Sequence, residues 1–264
     1  MSELAGRTAL VTGSSRGIGR ATAVALASRG ARVVLSARGA SDLEEARRAV
    51  AAVGLEPRSE QCDFGLPAEI DGLFDRLDGD GVVIDILVNN VGRASMARFD
   101  EVPDEEWARD WELNVMSAVR CCRRALPAMR RRGWGRVVNV ASSAGKRPSA
   151  RWPHYATTKA ALLGLTMVLA DTYAREGITV NAVCPGPVAS PSWTAEGGLA
   201  DRLADERGVD RREILDRVAA GIPIGRMGEP EEIAAAIAFL CGDAASFVNG
   251  AALSVDGGNV RIVV

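Results

Sequence analysis

Short apolar runs alternate with longer stretches of mixed character along most of the chain. Thr8–Val11, Arg32–Leu35, Ile84–Val88, Arg136–Val140, Thr179–Val183 and Ala252–Val255 are rich in Val, Ile and Leu and nearly unbroken. Such runs read as strands buried on both faces, as in a parallel sheet. Glu56–Gln61 is a weaker candidate. Between the runs, helical patterns cover Ile18–Ser28, Ser41–Val53, Leu66–Leu77, Asp104–Arg132, Tyr155–Arg175 and Glu231–Leu240. Gly30 and Gly54 stand where helices should end, and Ser41 with Glu44 reads as a capping box. Pro230 followed by Glu231 and Glu232 suits a helix start.

This alternation predicts an α/β fold of doubly wound, Rossmann type. A parallel seven-stranded sheet would carry helices on both faces, joined by right-handed crossovers. No linker, repeat or low-complexity stretch interrupts it, so residues 1–264 read as a single domain. Pro185–Arg226 departs from the pattern. It is long, polar and punctuated by Gly and Pro, and at about 187–226 it reads as a substrate loop or lid.

Charge is balanced, with 32 basic and 34 acidic residues, which argues against nucleic acid as a partner. The scarce residue types matter more. The chain has one histidine, His154, two tyrosines, Tyr155 and Tyr173, and two lysines, Lys146 and Lys159. One histidine excludes a His₂ or His₃ metal site within the chain, and no metal is expected. The five cysteines show no C-x-x-C motif and read as free thiols of a reducing cytoplasm. Met1–Arg7 lacks the apolar stretch of a signal peptide. No apolar run reaches the roughly 18 residues of a membrane span.

The first strand leads into Thr12-Gly13-Ser14-Ser15-Arg16-Gly17-Ile18-Gly19, and a helix follows. A strand, a glycine-rich turn and a helix N-terminus together form an anion site, because unpaired N–H groups face the ligand. The spacing is not the strict G-x-G-x-x-G. The same turn also matches G-x-S-x-G, the nucleophile elbow of hydrolases, with Ser15 as nucleophile and His154 the only available base. The second strand ends in Ala37-Arg38, where an acidic residue would select NAD. Arg38 and Arg16 together predict NADP(H) in preference to NAD(H), through a 2′-phosphate. A merely solvated Arg38 is the alternative.

Tyr155 and Lys159 stand four apart on one predicted helix. An ammonium beside a phenol favours the phenolate. Bringing tyrosine from ~10 to ~7 takes about 4 kcal/mol, which the lysine and a cationic oxidised nicotinamide would supply together. Tyr155 could then act as acid toward a carbonyl or base toward an alcohol. Ser142 sits at the end of the fifth strand, Asn89-Asn90-Val91-Gly92 at the end of the fourth and Pro185-Gly186 at the end of the sixth. Ligands of open α/β sheets bind beyond these strand ends.

These motifs, in this order from Thr12 to Gly258, resemble the short-chain dehydrogenase/reductase family, and within it the bacterial 3-oxoacyl-[acyl-carrier-protein] reductases and related ketoreductases. The resemblance implies Asn114, Ser142, Tyr155 and Lys159 as catalytic residues. Tyr155 would be the acid/base, Ser142 would orient the carbonyl, and Lys159 would hold the nicotinamide ribose. Asn114 would keep a water of a proton relay. The implied cofactor residues are Gly13, Ser15, Arg16, Gly17, Ile18, Gly19, Arg38, Asp63, Phe64, Asn90, Tyr155, Lys159, Pro185, Gly186, Val188 and Ser190. Asp63 would contact the adenine, Asn90 the adjacent ribose region and Val188 the carboxamide. Val91 replaces the family's usual Ala, Ser190 its usual Thr, and Glu176 stands where carrier-protein reductases often have a basic residue.

The expected activity is NADP(H)-dependent interconversion of a ketone and a secondary alcohol, on a small molecule rather than nucleic acid or membrane. An NAD-dependent alcohol, sugar or steroid dehydrogenase and a non-catalytic cofactor-binding regulator are the alternatives. The family implies a homotetramer, or a homodimer, with Asp104–Arg132 and Tyr155–Arg175 at one interface and the apolar end Arg261–Val264 at another. Specificity would lie in Arg93–Met96, Lys146–Trp152 and Ser190–Arg226. Trp152 and Trp193 flank the expected pocket. His154 reads as a pocket-edge or surface residue.

Overall fold

A computed structural model describes residues 3–262. Val263 and Val264, part of the apolar end assigned to an interface, lie outside the described residues, as do Met1 and Ser2. Seven parallel strands form one sheet: β1 (Thr8–Thr12), β2 (Arg32–Ala37), β3 (Arg58–Gln61), β4 (Ile86–Asn89), β5 (Gly135–Val140), β6 (Ile178–Pro185) and β7 (Ala252–Val255), in the order β3-β2-β1-β4-β5-β6-β7. Between β1 and β4 the winding reverses, and the crevice beyond their C-terminal ends is the ligand position that this topology creates.

The helices among the described residues are α1 (Gly17–Ser28), α2 (Ala40–Ala51), α3 (Pro67–Gly79), α4 (Asp104–Trp111), α5 (Ser117–Arg132), α6 (Ser143–Lys146), α7 (Pro153–Tyr173), α8 (Pro191–Thr194), α9 (Leu199–Arg207), α10 (Arg211–Gly221) and α11 (Pro230–Cys241). Alternate strand residues feed two cores. Val11, Leu35, Val88 and Val138 pack with Leu26 of α1, Leu43 of α2 and Ile237 of α11. Leu10, Val34, Leu87 and Val137 pack on the other face with Leu73 of α3, Met129 of α5 and Ala170 of α7. Helices on both faces explain why the strands carry no polar alternation.

Three local readings change. Gly39, not Ser41, precedes the first residue of α2, so Ser41 lies inside the helix and caps nothing. Glu44 instead pairs with Arg47 at 2.7 Å and Arg48 at 3.1 Å. The expected helix over Asp104–Arg132 is interrupted by a π-helical turn, Glu112–Met116, between α4 and α5. The stretch read as a lid is not bare loop. It contains α8, α9 and α10, whose Leu199, Leu203 and Ile214 form a small separate core with Met96, Trp152 and Trp193. Polar composition hid these short helices.

Candidate active site

The glycine turn lies at the winding reversal. Gly17 has a left-handed backbone, φ +54°, which a side chain would strain. A Cβ on Gly19 would fall 2.2 Å from the Gly13 carbonyl oxygen, so the turn closes only without one. Ser36 N–H donates to Ser14 Oγ at 2.8 Å, and the Asn90 amide donates to the Thr12 and Gly13 carbonyls at 2.8 and 3.1 Å. These bonds fasten the turn to β2 and to the end of β4. No side chain caps α1, and no acidic residue occupies its first turn. The positive end of the helix is thereby open to an anion. This cradle, which side chains on Gly17 and Gly19 would strain or fill, fits the pyrophosphate of a dinucleotide.

Arg16 is exposed, Ser15 and Ile18 are half-buried, and Arg38 follows β2 on the surface. Arg38 lies 3.8 Å from the Asp63 carboxylate. Asp63 also accepts from Gly65 N–H at 2.9 Å. Phe64 is fully buried in the second core, which leaves only its backbone for a ligand. Beyond β6, Val188 and Ser190 are also buried, and Val188 bridges to Gly228. Gly186 sits so close to Asp256 that a Cβ would approach its Cα to 2.9 Å.

Ser142 caps α6, accepting from Ala144 N–H at 3.1 Å. A Cβ on Gly145 would meet the Lys159 carbonyl at 2.8 Å, so α6 rides directly on α7. This contact brings the end of β5 to the first turns of α7, where Tyr155 and Lys159 stand. Lys159 is 4% exposed and its Nζ donates to the Val140 carbonyl at 2.8 Å. The same ammonium lies 5.8 Å from the Tyr155 ring centre. Asn114 occupies the π-turn, a deformation that often marks functional sites. Its Oδ1 accepts from Arg93 N–H at 2.9 Å, and its Nδ2 donates to the Arg93 carbonyl and to Thr158 Oγ1 at 3.1 and 3.0 Å. Asn114 and Lys159 flank Gly92. The Trp152 ring meets Tyr155 edge to face at 6.0 Å.

Burial pushes the Lys159 ammonium down to about 8. Burial also pushes the Tyr155 phenol up, opposed by the Ser142 side chain. The lowering expected of Tyr155 calls on Lys159 together with a cationic nicotinamide, and burial of the phenol opposes it. All five cysteines are buried, and burial holds Cys62, Cys122 and Cys241 at about 12, well above a reactive range.

His154 is not at an edge. It is 1% exposed, with Nε2 at 2.6 Å from Ser95 Oγ and 3.5 Å from Asp110 Oδ2. Ser95, His154 and Asp110 are the residue types of a hydrolytic triad, but both partners meet the same nitrogen, whereas a triad needs one on each. With its histidine engaged there, the Ser15 hydrolase reading loses its base. Sequence reading missed Asp110 and named Ser95 only within the specificity segment Arg93–Met96. Only the one-turn spacing of Asp110 from Asn114 hinted at the former.

The family model described as enoyl-(acyl carrier protein) reductase matches residues 13–259. Fold and matches define an oxidoreductase acting on hydroxyl and keto groups. The chain belongs to the short-chain dehydrogenase/reductase family. It is 40% identical over 259 residues to cis-4-hydroxycyclohexanecarboxylate dehydrogenase of Sinomonas cyclohexanicum, covering 97% of each chain. It is 35% identical over 254 residues to 3-oxoacyl-[acyl-carrier-protein] reductase of Escherichia coli, covering 96% of this chain and 97% of that one. The crystal structure of L-sorbose reductase from Gluconobacter frateurii, complexed with NADPH and L-sorbose, superposes with a TM-score of 0.93 at 36% identity over 100% of both chains.

Proposed function

We propose that the protein is an NADP(H)-dependent ketoreductase interconverting a ketone and a secondary alcohol. The observation that carries this reading is the convergence of Asn114, Ser142, Tyr155 and Lys159 on one sheet edge, beside an uncapped glycine turn. Bound NADPH would supply hydride to the carbonyl carbon. Ser142 orients the substrate oxygen, and the Tyr155 phenol, kept protonated by burial, donates its proton to that oxygen. Lys159, still mostly charged near neutral pH, holds the nicotinamide ribose and recharges Tyr155 through a water kept by Asn114. The side-chain amide of Asn114 is engaged on both atoms, which supports a positioning role for it.

Gly13, Ser15, Arg16, Gly17, Ile18 and Gly19 receive the pyrophosphate, and Arg16 and Arg38 the 2′-phosphate. Asp63 and the Phe64 backbone border the adenine, Asn90 the adjacent ribose region, and Pro185, Gly186, Val188 and Ser190 the nicotinamide. The segment at about 187–226 acts as the lid of a single-domain enzyme. The buried free thiols agree with a reducing cytoplasm, and the working form is a homotetramer or homodimer. No described helix is long and apolar enough to cross a membrane.

One observation favours the NAD-dependent alternative. Arg38 faces Asp63, which neutralises part of its charge. A non-catalytic regulator would not need all four residues of the catalytic set. The test is the ratio of kcat/KM for NADPH over NADH with a ketone that turns over. The proposal expects a ratio above ten, and Arg38→Asp should invert it, since an Arg–phosphate contact is worth about 1.5–3 kcal/mol. A wild-type ratio below one overturns the NADP assignment.

A further inference from the structure

Of the 32 lysines and arginines, only Lys146 and Lys159 are lysines. Both stand at the C-terminal edge of the sheet, Lys159 on α7 and Lys146 as the last residue of α6. The proposed reaction uses Lys159 and leaves Lys146 without a task. Lys146 is half-buried, and its Nζ donates to Ser254 Oγ of β7 at 3.0 Å. An ammonium on an unbranched stem suits a single hydroxyl, where a guanidinium fork would leave most of its donors unmet.

Helix α6 is a single turn of four residues, far too short to hold its shape alone. Its placement follows from what it is fastened to. Before it, Ala141 N–H donates to the Val183 carbonyl of β6 at 2.8 Å. In its middle, Gly145 lies against the Lys159 carbonyl. At its end, the bond from Lys146 reaches over β6, whose Cys184 lies opposite Ser254 in register. The next such bond among the described residues comes only at Arg151, whose carbonyl accepts from Ala97 N–H at 3.3 Å. Without the lysine, no hydrogen bond ties residues 143–150 to another element.

Ser142 is the N-cap of this turn. Its Oγ accepts from Ala144 N–H at 3.1 Å, and its carbonyl accepts from Gly145 N–H at 3.0 Å. The hydroxyl oxygen therefore travels with the turn: a tilt of α6 moves the Ala144 N–H and carries Oγ with it. We propose that Lys146 is a positioning residue for Ser142. Its bond to Ser254 fixes the far end of the turn that Ser142 caps, and so sets the direction from which Ser142 meets the substrate oxygen. This rests on the ketoreductase reading and adds a residue to it.

The experiment is single-turnover oxidation of NADPH with enzyme in excess, which keeps slow variants measurable. The ketone is whichever of cyclohexanone, 2-heptanone and ethyl acetoacetate the wild type reduces fastest. Lys146→Met should lower the maximal rate about fivefold and leave the half-saturating ketone concentration and NADPH affinity unchanged. Ser254→Ala, which keeps the lysine charge, should match it, and Ser254→Thr, which keeps a hydroxyl, should restore the rate. In a Ser142→Ala background, Lys146→Met should cost nothing further. Hydrogen exchange over residues 142–147 should be faster in Lys146→Met than in wild type, whatever the turnover. A wild-type rate in Lys146→Met or Ser254→Ala, unchanged exchange, or the same fivefold cost without Ser142 overturns the proposal and leaves the ketoreductase reading intact. Wild-type protein that reduces none of the three ketones, nor any other in a wider panel, overturns both.

Discussion

At the residue scale, the chemistry turns on how burial treats two groups four residues apart. Lys159 is nearly inaccessible, and its ammonium is pushed from 10.5 down to about 8. Below pH 8 the lysine is protonated in both the folded and the unfolded chain, and the folded one bears the desolvation cost. Between 8 and 10.5 the unfolded chain binds more protons, so stability rises with pH over that window. Lys159→Met should therefore stabilise the fold at pH 7. The shift is worth roughly 3 kcal/mol and the orphaned Val140 carbonyl costs about 1, leaving about 2. Urea unfolding should show this gain shrink toward pH 10.5, and a loss of stability at pH 7 would contradict it. The pair itself was legible because the chain has so few tyrosines and lysines. The direction of the Tyr155 shift was not, since spacing says nothing about how deep a helix is buried. Nor was the burial of His154: its partners lie on other elements, and no local pattern links them.

At the element scale, sequence periodicity located the strands within a few residues and most long helices. It did not locate the π-turn, because Glu112-Leu113-Asn114-Val115-Met116 has no helix breaker and reads as ordinary helix. The turn places Asn114 so that its side chain spans Arg93 and Thr158. Asn114→Ala removes those bonds and loosens the loop after β4 at the Arg93 backbone. We expect a loss of about 2 kcal/mol in unfolding free energy and faster hydrogen exchange over residues 91–98. Exchange there at the wild-type rate would contradict the tether. The helices α9 and α10 were illegible for a related reason. Leu199, Leu203 and Ile214 are too few to stand out among polar neighbours, and they find their apolar partners on Met96, Trp152 and Trp193.

At the scale of the whole molecule, strand–helix alternation sufficed for a doubly wound sheet, since short right-handed crossovers leave few other arrangements. Association is the part a single chain leaves open. On α7, Met167 and Val168 are 58% and 63% exposed, and Phe247 after α11 is fully exposed. Apolar side chains so placed suit an interface between subunits. Light scattering should find an oligomer for the wild type and smaller species for Met167→Asp combined with Val168→Asp. An unchanged mass would remove this face of α7 from the interface.

The central claim is that Tyr155 delivers the proton when a ketone is reduced. It is tested most directly by single-turnover oxidation of NADPH in the presence of a ketone, with wild type and Tyr155→Phe side by side. General acid catalysis is typically worth about 10²–10⁴-fold, so the variant should bind NADPH with unchanged affinity and turn over at least about 100-fold more slowly. A Tyr155→Phe variant as fast as the wild type would contradict the account.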